Sequence, residues 1–271
     1  RAIWATWWKE DEPPPDLGLS QVTPAIIRTI AGSFKVRISC NDGLHPRHFK
    51  GLSECALLSL CLLVRLFEVR GQWPTCEQAV IVALIPKADG GLRPIALFRS
   101  AYRIYAKAHA RAVRSWAASL PDAQCNNSAG RWVGDSIWRM QIRAITSTAK
   151  KHIEFLLDVR RVFEHVQRHQ LLEEAELNGY PMSELLASIT SYSWPRYITC
   201  EGLLAEPIIP KRGIAAGSAF ATFELLCLLR NAISSMPIEY PPTPIWLHVH
   251  DLRLSSVADN VHGVLLHDMR P

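Results

Sequence analysis

Two acidic residues far apart in this chain sit where carboxylates can do chemistry. Asp158 closes an apolar, β-branched segment, HIEFLLDV (152–159), and Phe163 follows five residues later. Asp251 follows His250 at the tip of a strand–turn–strand pattern, PIWLHV (244–249) and then LRLSS (252–256). Between them, a turn from Gly213 to Gly217 opens an apolar stretch, Phe220 to Leu229. Strand-end carboxylates distant in sequence meet when their strands are neighbours in one sheet. Such a pair can hold Mg²⁺, which takes one or two carboxylates together with substrate phosphates. Two ions about 3.5–4 Å apart stabilise the attacking and leaving oxygens of an in-line phosphoryl displacement. Each feature alone is ordinary, since an Asp at a strand end is commonly a cap and a His-Asp pair in a hairpin is commonly turn chemistry. Their order and spacing give the pattern its content.

The elements that must position these residues are legible in outline. Apolar residues at helical spacing (Leu52, Ala56, Leu60, Leu63, Phe67) predict a helix over 50–70, stopped by Gly71. AVIVALIP (79–86) and LRPIALF (92–98) flank the turn signature Ala88-Asp89-Gly90-Gly91 and predict a β-hairpin. Helices are expected over 100–119 and 134–151, then to about Leu177, and from Met182 to Tyr192. RYITCEG (196–202) and EPIIP (206–210) suggest a second hairpin, and a helix is expected to begin near Gly217. This alternation of strands and helices indicates an α+β or α/β class.

The chain has 271 residues, 48% of them hydrophobic and 20% charged, which excludes a disordered polymer and allows one large or two small domains. A net charge of +5 is compatible with a polyanionic partner without requiring one. The seven cysteines (Cys40, Cys55, Cys61, Cys76, Cys125, Cys200, Cys227) include no Cys-x-x-Cys pair, and most lie in apolar runs. They are expected to be buried reduced thiols of an intracellular protein, with no zinc site. The longest apolar run, Cys55 to Val64, is broken by Arg65 and falls short of the roughly 20 residues of a membrane span. No secretory signal is visible. The chain starts at Arg1 and stops soon after the Asp251 pattern, and it reads as a fragment of something longer.

Taken together, five segments resemble the reverse transcriptases of non-LTR (LINE-like) retrotransposons. NDGLHPRHF (41–49) resembles an upstream segment of those RNA-directed DNA polymerases, and LIPKADGGLRPIALFRSAYRIYAK (84–107) resembles their fingers motifs. LLDVRRVFEHV (156–166), RGIAAGSAFATFELL (212–226) and LHVHDLRLSS (247–256) resemble palm motifs A, B and C. The resemblance spans about residues 41–256, in the family's order.

The resemblance implies a right-hand polymerase with fingers and a ferredoxin-like palm, the thumb missing. Residues 1–40 would be an N-terminal extension, 41–150 fingers and fingers/palm helices, and 151–271 a palm truncated before the thumb. It implies Asp158, the Val159 carbonyl and Asp251 as metal ligands, with Asp158, His250 and Asp251 at the catalytic positions. Lys87 and Arg93 would grip the triphosphate, where a guanidinium suits phosphate. Phe163 would be the gate beneath the sugar. Gly213 and Gly217 would let the backbone pass close to the template and nascent base pair. The implied cofactor is two Mg²⁺ ions, with Mn²⁺ as a substitute. The implied partners are an RNA template, a DNA primer and dNTPs, with no membrane and a nuclear location.

Three positions depart from the family pattern. His250 stands where the first motif C Asp belongs, and an imidazole offers nitrogen to a hard cation that prefers oxygen. Ala216 replaces a common Gln, and Glu164 replaces the second acid of motif A with its charge kept. Two functions follow as expectations. One is RNA-templated DNA synthesis, impaired at motif C. The other is a decayed or repurposed nucleic-acid-binding domain without catalysis, and His250 discriminates between them.

Overall fold

The structure is a computed structural model that describes residues 19, 21–38, 40–88, 90–121, 133–146, 151–200, 202–239, 245–249 and 251–258. In chain order the elements are α1 (Pro24–Gly32), α2 (Glu54–Arg70), β1 (Val80–Pro86), β2 (Leu92–Leu97), α3 (Ser100–Ser119), α4 (Val133–Thr146), β3 (Lys151–Asp158), α5 (Val162–His165), α6 (Arg168–Leu177), α7 (Met182–Tyr192), β4 (Arg196–Cys200), β5 (Leu203–Leu204), α8 (Ala221–Glu239), β6 (Ile245–His248) and β7 (Asp251–Ala258). They form two compact units. One comprises Arg1–Val113, Val166–Arg168 and Pro181–Ala221, and the other Arg114–His165, His169–Tyr180 and Thr222–Pro271.

In the first unit, local sequence sets the helix ends. The Thr23 hydroxyl accepts the Ile26 N–H at 3.3 Å ahead of Pro24, and the Ser53 hydroxyl accepts the Ala56 N–H at 3.2 Å. Gly71, in the left-handed region (φ +64°), ends α2 as its composition suggests. A four-stranded mixed sheet runs in the order β2-β1-β4-β5, with β1 and β2 antiparallel and β1 and β4 parallel. The second hairpin expected from sequence is therefore β4 with a two-residue β5 and a single bridge from Arg196 to Ile208, joined to β1. Beside the sheet, Trp73, Phe98, Tyr102, Tyr105 and Trp194 form an aromatic core, with Tyr102 edge-on to Trp73 at 5.4 Å and to Trp194 at 5.0 Å. The Tyr102 hydroxyl donates to Ser191 Oγ at 2.8 Å, which satisfies its polar end inside the core.

The Asn41-Asp42-Gly43 segment has a local physical role in this unit. The Asp42 carboxylate accepts the Ser100 N–H at 2.8 Å and the Ser100 hydroxyl, so it caps α3 with negative charge at the positive end of the helix. Asn41 Nδ2 donates to the Ala79 carbonyl at 2.6 Å, and Gly43 supplies the left-handed turn (φ +70°).

Arg168, unremarked in the sequence, organises the far side of the same unit. Its guanidinium donates to the carbonyls of Gly213 (2.9 Å), Tyr192 (2.7 Å), Pro210 (3.2 Å) and Arg212 (3.3 Å) and to Ser193 Oγ (3.0 Å). Gly213 N–H donates in turn to the Val166 carbonyl at 2.8 Å. Burial, and then the like charge of Arg196, lower the Arg168 pKa from its ordinary value. Arginine nevertheless stays charged in proteins, so every one of these bonds is charge-assisted.

The second unit holds a three-stranded antiparallel sheet in the order β3-β7-β6. Its helical part is fixed around Asn178. Trp116 Nε1 donates to the Asn178 carbonyl at 3.0 Å, the Asn178 amide donates to the Glu174 carbonyl at 2.8 Å, and Arg230 donates to Asn178 Oδ1 at 2.6 Å. Leu225, Leu226 and Cys227 of α8 are fully buried, and burial, reinforced by the charges of Glu174 and Glu224, pushes the Cys227 thiol up to about 12.

The cysteine expectation needs correction. Cys227 is buried, Cys40 and Cys61 are half-buried, and Cys55, Cys76 and Cys200 are exposed, while Cys125 lies outside the described residues. An apolar run does not bury its cysteine when the helix carrying it is apolar all round, as α2 is. The helix expected near Gly217 begins at Ala221, because Gly217 is held outside helical geometry. Among the described residues no helix is long and apolar enough to cross a membrane.

Removal of the Arg168 side chain leaves several carbonyls without a donor. Arg168→Met is expected to lower unfolding free energy by about 2–4 kcal/mol, measured by urea denaturation. Arg168→Lys should recover little of this, because one ammonium cannot span acceptors arranged for a planar fork. A Lys variant as stable as the parent would contradict the clamp.

Candidate functional site

The β3–β7 ladder runs from Lys151 opposite Ala258 to Asp158 opposite Asp251. The two acids that the sequence singles out are therefore direct cross-strand partners at the end of one antiparallel sheet. Directly opposed residues share a face and have Cβ atoms about 4.5–5.5 Å apart, within reach of a shared cation. Both side chains are exposed. On the other side of β7, Asp251 is paired with His248 of β6, so Asp158, Asp251 and His248 form one row across the three strands. His248 is half-buried, and its Nδ1 is buried with no hydrogen-bond partner among the described residues.

The β6–β7 pairing of His248 with Asp251 leaves Val249 and His250 as a two-residue hairpin loop. His250 itself lies outside the described residues. Val249 has φ +58°, in a region that β-branched residues rarely occupy and that hairpins of this length normally fill with Gly, Asn or Asp. Val159, half-buried, leaves β3 at this same end, and Arg161 (φ +53°) turns the chain into α5. Phe163 is half-buried in the first turn of that short helix.

Asp158 and Asp251 could offer carboxylate oxygens, the donor type that hard Mg²⁺ prefers. Among the described residues no group of three or more His, Cys, Asp or Glu could hold a metal ion. Two carboxylates are the number from which Mg²⁺ sites completed by substrate phosphates are built.

The remaining sequence-predicted residues lie in the first unit. Arg93 is paired with Ile85 in the β1–β2 hairpin, and the Lys87 N–H donates to the Gly91 carbonyl at 2.7 Å, extending the ladder by one pair. The two-residue pleat puts Lys87 and Arg93 on one face at diagonal positions, about 7–8 Å apart, and both are exposed. On the opposite face Val80 and Ala96 are buried, but Pro86, Leu92 and Pro94 near the hairpin tip are exposed. Arg103 and Lys107 are engaged differently, over the Phe34 ring, with Lys107 Nζ 4.2 Å from its centroid and donating to the Ser33 carbonyl at 3.2 Å.

Gly213 (φ +82°) and Gly217 (φ +111°) both need a residue without a side chain. At Gly217 the structure supplies a specific cause. Ala96 N–H on β2 donates to the Ala216 carbonyl at 2.9 Å, and a Cβ on Gly217 would lie 2.6 Å from the Ala96 carbonyl oxygen.

No protein-family model matches the chain, and no curated protein matches it. Solved structures do. A structure of apo telomerase from Candida tropicalis matches with a TM-score of 0.51 and 11% identity, covering 70% of this chain and 40% of that one. The chain is thus similar in fold to part of that telomerase. Two further telomerase structures from the same organism match at a TM-score of 0.49. One is truncated from its C-terminal domain, with 12% identity over 70% of this chain and 45% of that chain. The other is in complex with a fragment of telomeric RNA, with 10% identity over 72% and 38%. The chain spans less than half the length of each of these telomerases.

Two glycines in this fold separate backbone strain from collision. Gly43→Ala adds a Cβ with nothing within 4 Å and should cost about 1–2 kcal/mol from its positive φ alone. Gly217→Ala adds a collision with immovable β2 backbone and should cost about 2–4 kcal/mol. Equal melting temperatures for the two variants would contradict the close approach at Ala96.

Proposed function

We propose that the chain is the fingers and palm portion of a polymerase of the non-LTR reverse-transcriptase class, built for RNA-templated DNA synthesis from dNTPs. Residues 41–150 would belong to the fingers and 151–271 to the palm. The observation that carries the reading is the direct opposition of Asp158 and Asp251 in a chain of this fold.

In this reading Asp158, the Val159 carbonyl and Asp251 hold two Mg²⁺ ions, which lower the pKa of the primer 3′-hydroxyl and neutralise charge on the transferred phosphoryl group. The chain's own residues do the positioning. Asp158 and Asp251 face one another from rigid strands, so their spacing needs no reorganisation when phosphates arrive. Lys87 and Arg93 present two cations from one face of a hairpin, a spacing suited to successive phosphates of a nucleotide. Phe163, five residues beyond Asp158, stands under the sugar and disfavours a 2′-hydroxyl. Template, primer and dNTPs are the partners, and the setting is nuclear.

His250 favours a second reading, a folded nucleic-acid-binding domain that has lost catalysis. It removes one formal negative charge from the position beside Asp251, and protonation would place a positive charge where cations must sit.

Primer extension on an RNA template, with the chain completed by a thumb, separates the two readings. The unmodified chain should extend weakly with Mg²⁺ and better with Mn²⁺, which accepts imidazole more readily. His250→Asp should restore about a thousandfold in rate, corresponding to roughly 4 kcal/mol of barrier lowering. Robust Mg²⁺-dependent synthesis by the unmodified chain would show that motif C is misplaced. No gain in His250→Asp with either metal would favour the binding domain.

A further inference from the structure

Helix α2 is apolar on both sides. Leu57 and Val64 face the core of the first unit. On the opposite side Cys55, Leu58, Leu62, Leu66 and Val69 are all exposed, Leu62 at 72% and the other three large residues at 40% or more. At 100° per residue these five positions fall within one narrow stripe along the full helix. A contiguous exposed apolar stripe of this kind marks a contact site.

The order of residues along the stripe identifies the occupant. Counting outward from Leu62, the stripe reads the same in both directions. Leu58 and Leu66 lie four residues to either side, and Cys55 and Val69 seven to either side. Eight residues out, the ends are complementary rather than alike, with Glu54 in the first turn and Arg70 in the last. Glu54 remains largely exposed in its pair with Arg28. A second α2 laid antiparallel across the first, about a two-fold axis at Leu62, therefore sets apolar residue against apolar residue over the whole length. It also brings the acidic end of each helix beside the basic end of the other. A parallel pairing would bring Glu54 to Glu54 and Arg70 to Arg70. Such self-complementarity about a centre is what an isologous two-fold interface requires.

We propose that a second copy of this chain covers α2, in an antiparallel two-fold dimer centred on Leu62. One helix pair is at the small end of stable interfaces, so the dimer is expected at micromolar concentration. The inference is independent of the polymerase reading, because it uses no residue of that site.

Sedimentation velocity on the 271-residue chain, with paired variants, tests it. The unmodified chain should pass from monomer to dimer as concentration rises. Leu62→Glu and Leu62→Lys, each placing like charges against themselves on the two-fold axis, should both be monomeric with unchanged circular dichroism. An equimolar mixture of the two should dimerise again. Independently, Val69→Cys should form an intermolecular disulfide from position 69 to Cys55 of the second copy under a mild thiol oxidant, mapped by mass spectrometry. Within one helix the two sulfurs are about 21 Å apart and cannot bond. A chain that stays monomeric at all concentrations, as it would if its own N-terminal residues covered the stripe, overturns the proposal. So does a dimer unaffected by both Leu62 variants. A dominant disulfide between the two copies of position 69, or between the two copies of Cys55, overturns the antiparallel arrangement and the proposal with it.

Discussion

The pairing register of β3 with β7 is the constraint on which the candidate site rests. A strand's side chains alternate faces with a period of two, so a slip of one residue would move Asp251 to the opposite face and away from Asp158. The β3–β7 ladder pairs every residue of β3, from Lys151 to Asp158, and the short loop between β6 and β7 lies beside its Asp158–Asp251 end. That loop holds Val249 in a left-handed conformation that valine resists. The ladder also sets two negative charges directly opposite one another, an arrangement unfavourable in itself. A divalent cation between them turns the repulsion into attraction. The same geometry that costs stability without a cation would favour binding one in the proposed site.

Residues that look like machinery in the sequence also serve as framework. Gly217 is required because β2 approaches it at Ala96, and Gly213 because its carbonyl and N–H join the Arg168 and Val166 contacts. Asp42 caps α3 from fifty-eight residues away in sequence. These roles are intrinsic to the first unit and hold whether or not any nucleic acid is bound. Lys87 and Arg93 differ. Both are exposed, so their exposure on one hairpin face is not explained by packing.

The strand carrying Asp158 is legible because an apolar run ends at an acid, that carrying Asp251 because a strand–turn–strand pattern surrounds it, and the β1–β2 hairpin because Asp89-Gly90-Gly91 punctuates it. The limits have physical causes. Nothing local distinguishes Arg168 from any other surface arginine, since its five acceptors come from segments twenty-four to forty-five residues away. The parallel pairing of β1 with β4 joins strands separated by more than a hundred residues, and no local pattern encodes such a partner. His248 joins the Asp158–Asp251 row only through the hairpin register, which no composition reveals. The cysteines misled because apolar neighbours were equated with burial, whereas α2 turns an apolar face outward.

Whether Asp158 and Asp251 form the proposed divalent-cation site can be decided by a binding measurement that needs no catalysis. Thermal unfolding in rising Mn²⁺ or Mg²⁺ reports any ion bound only by the folded chain, with a stabilisation of about 1.4 kcal/mol once the ion reaches ten times its Kd. The account predicts that either ion raises the melting temperature of the unmodified chain, that Mn²⁺ does so at lower concentration, and that Asp158→Asn and Asp251→Asn each abolish the shift. Asp251→Asn should in addition melt slightly higher than the parent in the presence of a chelator, because it removes the opposed charge. Equal metal-induced shifts in the parent and both variants would contradict the site.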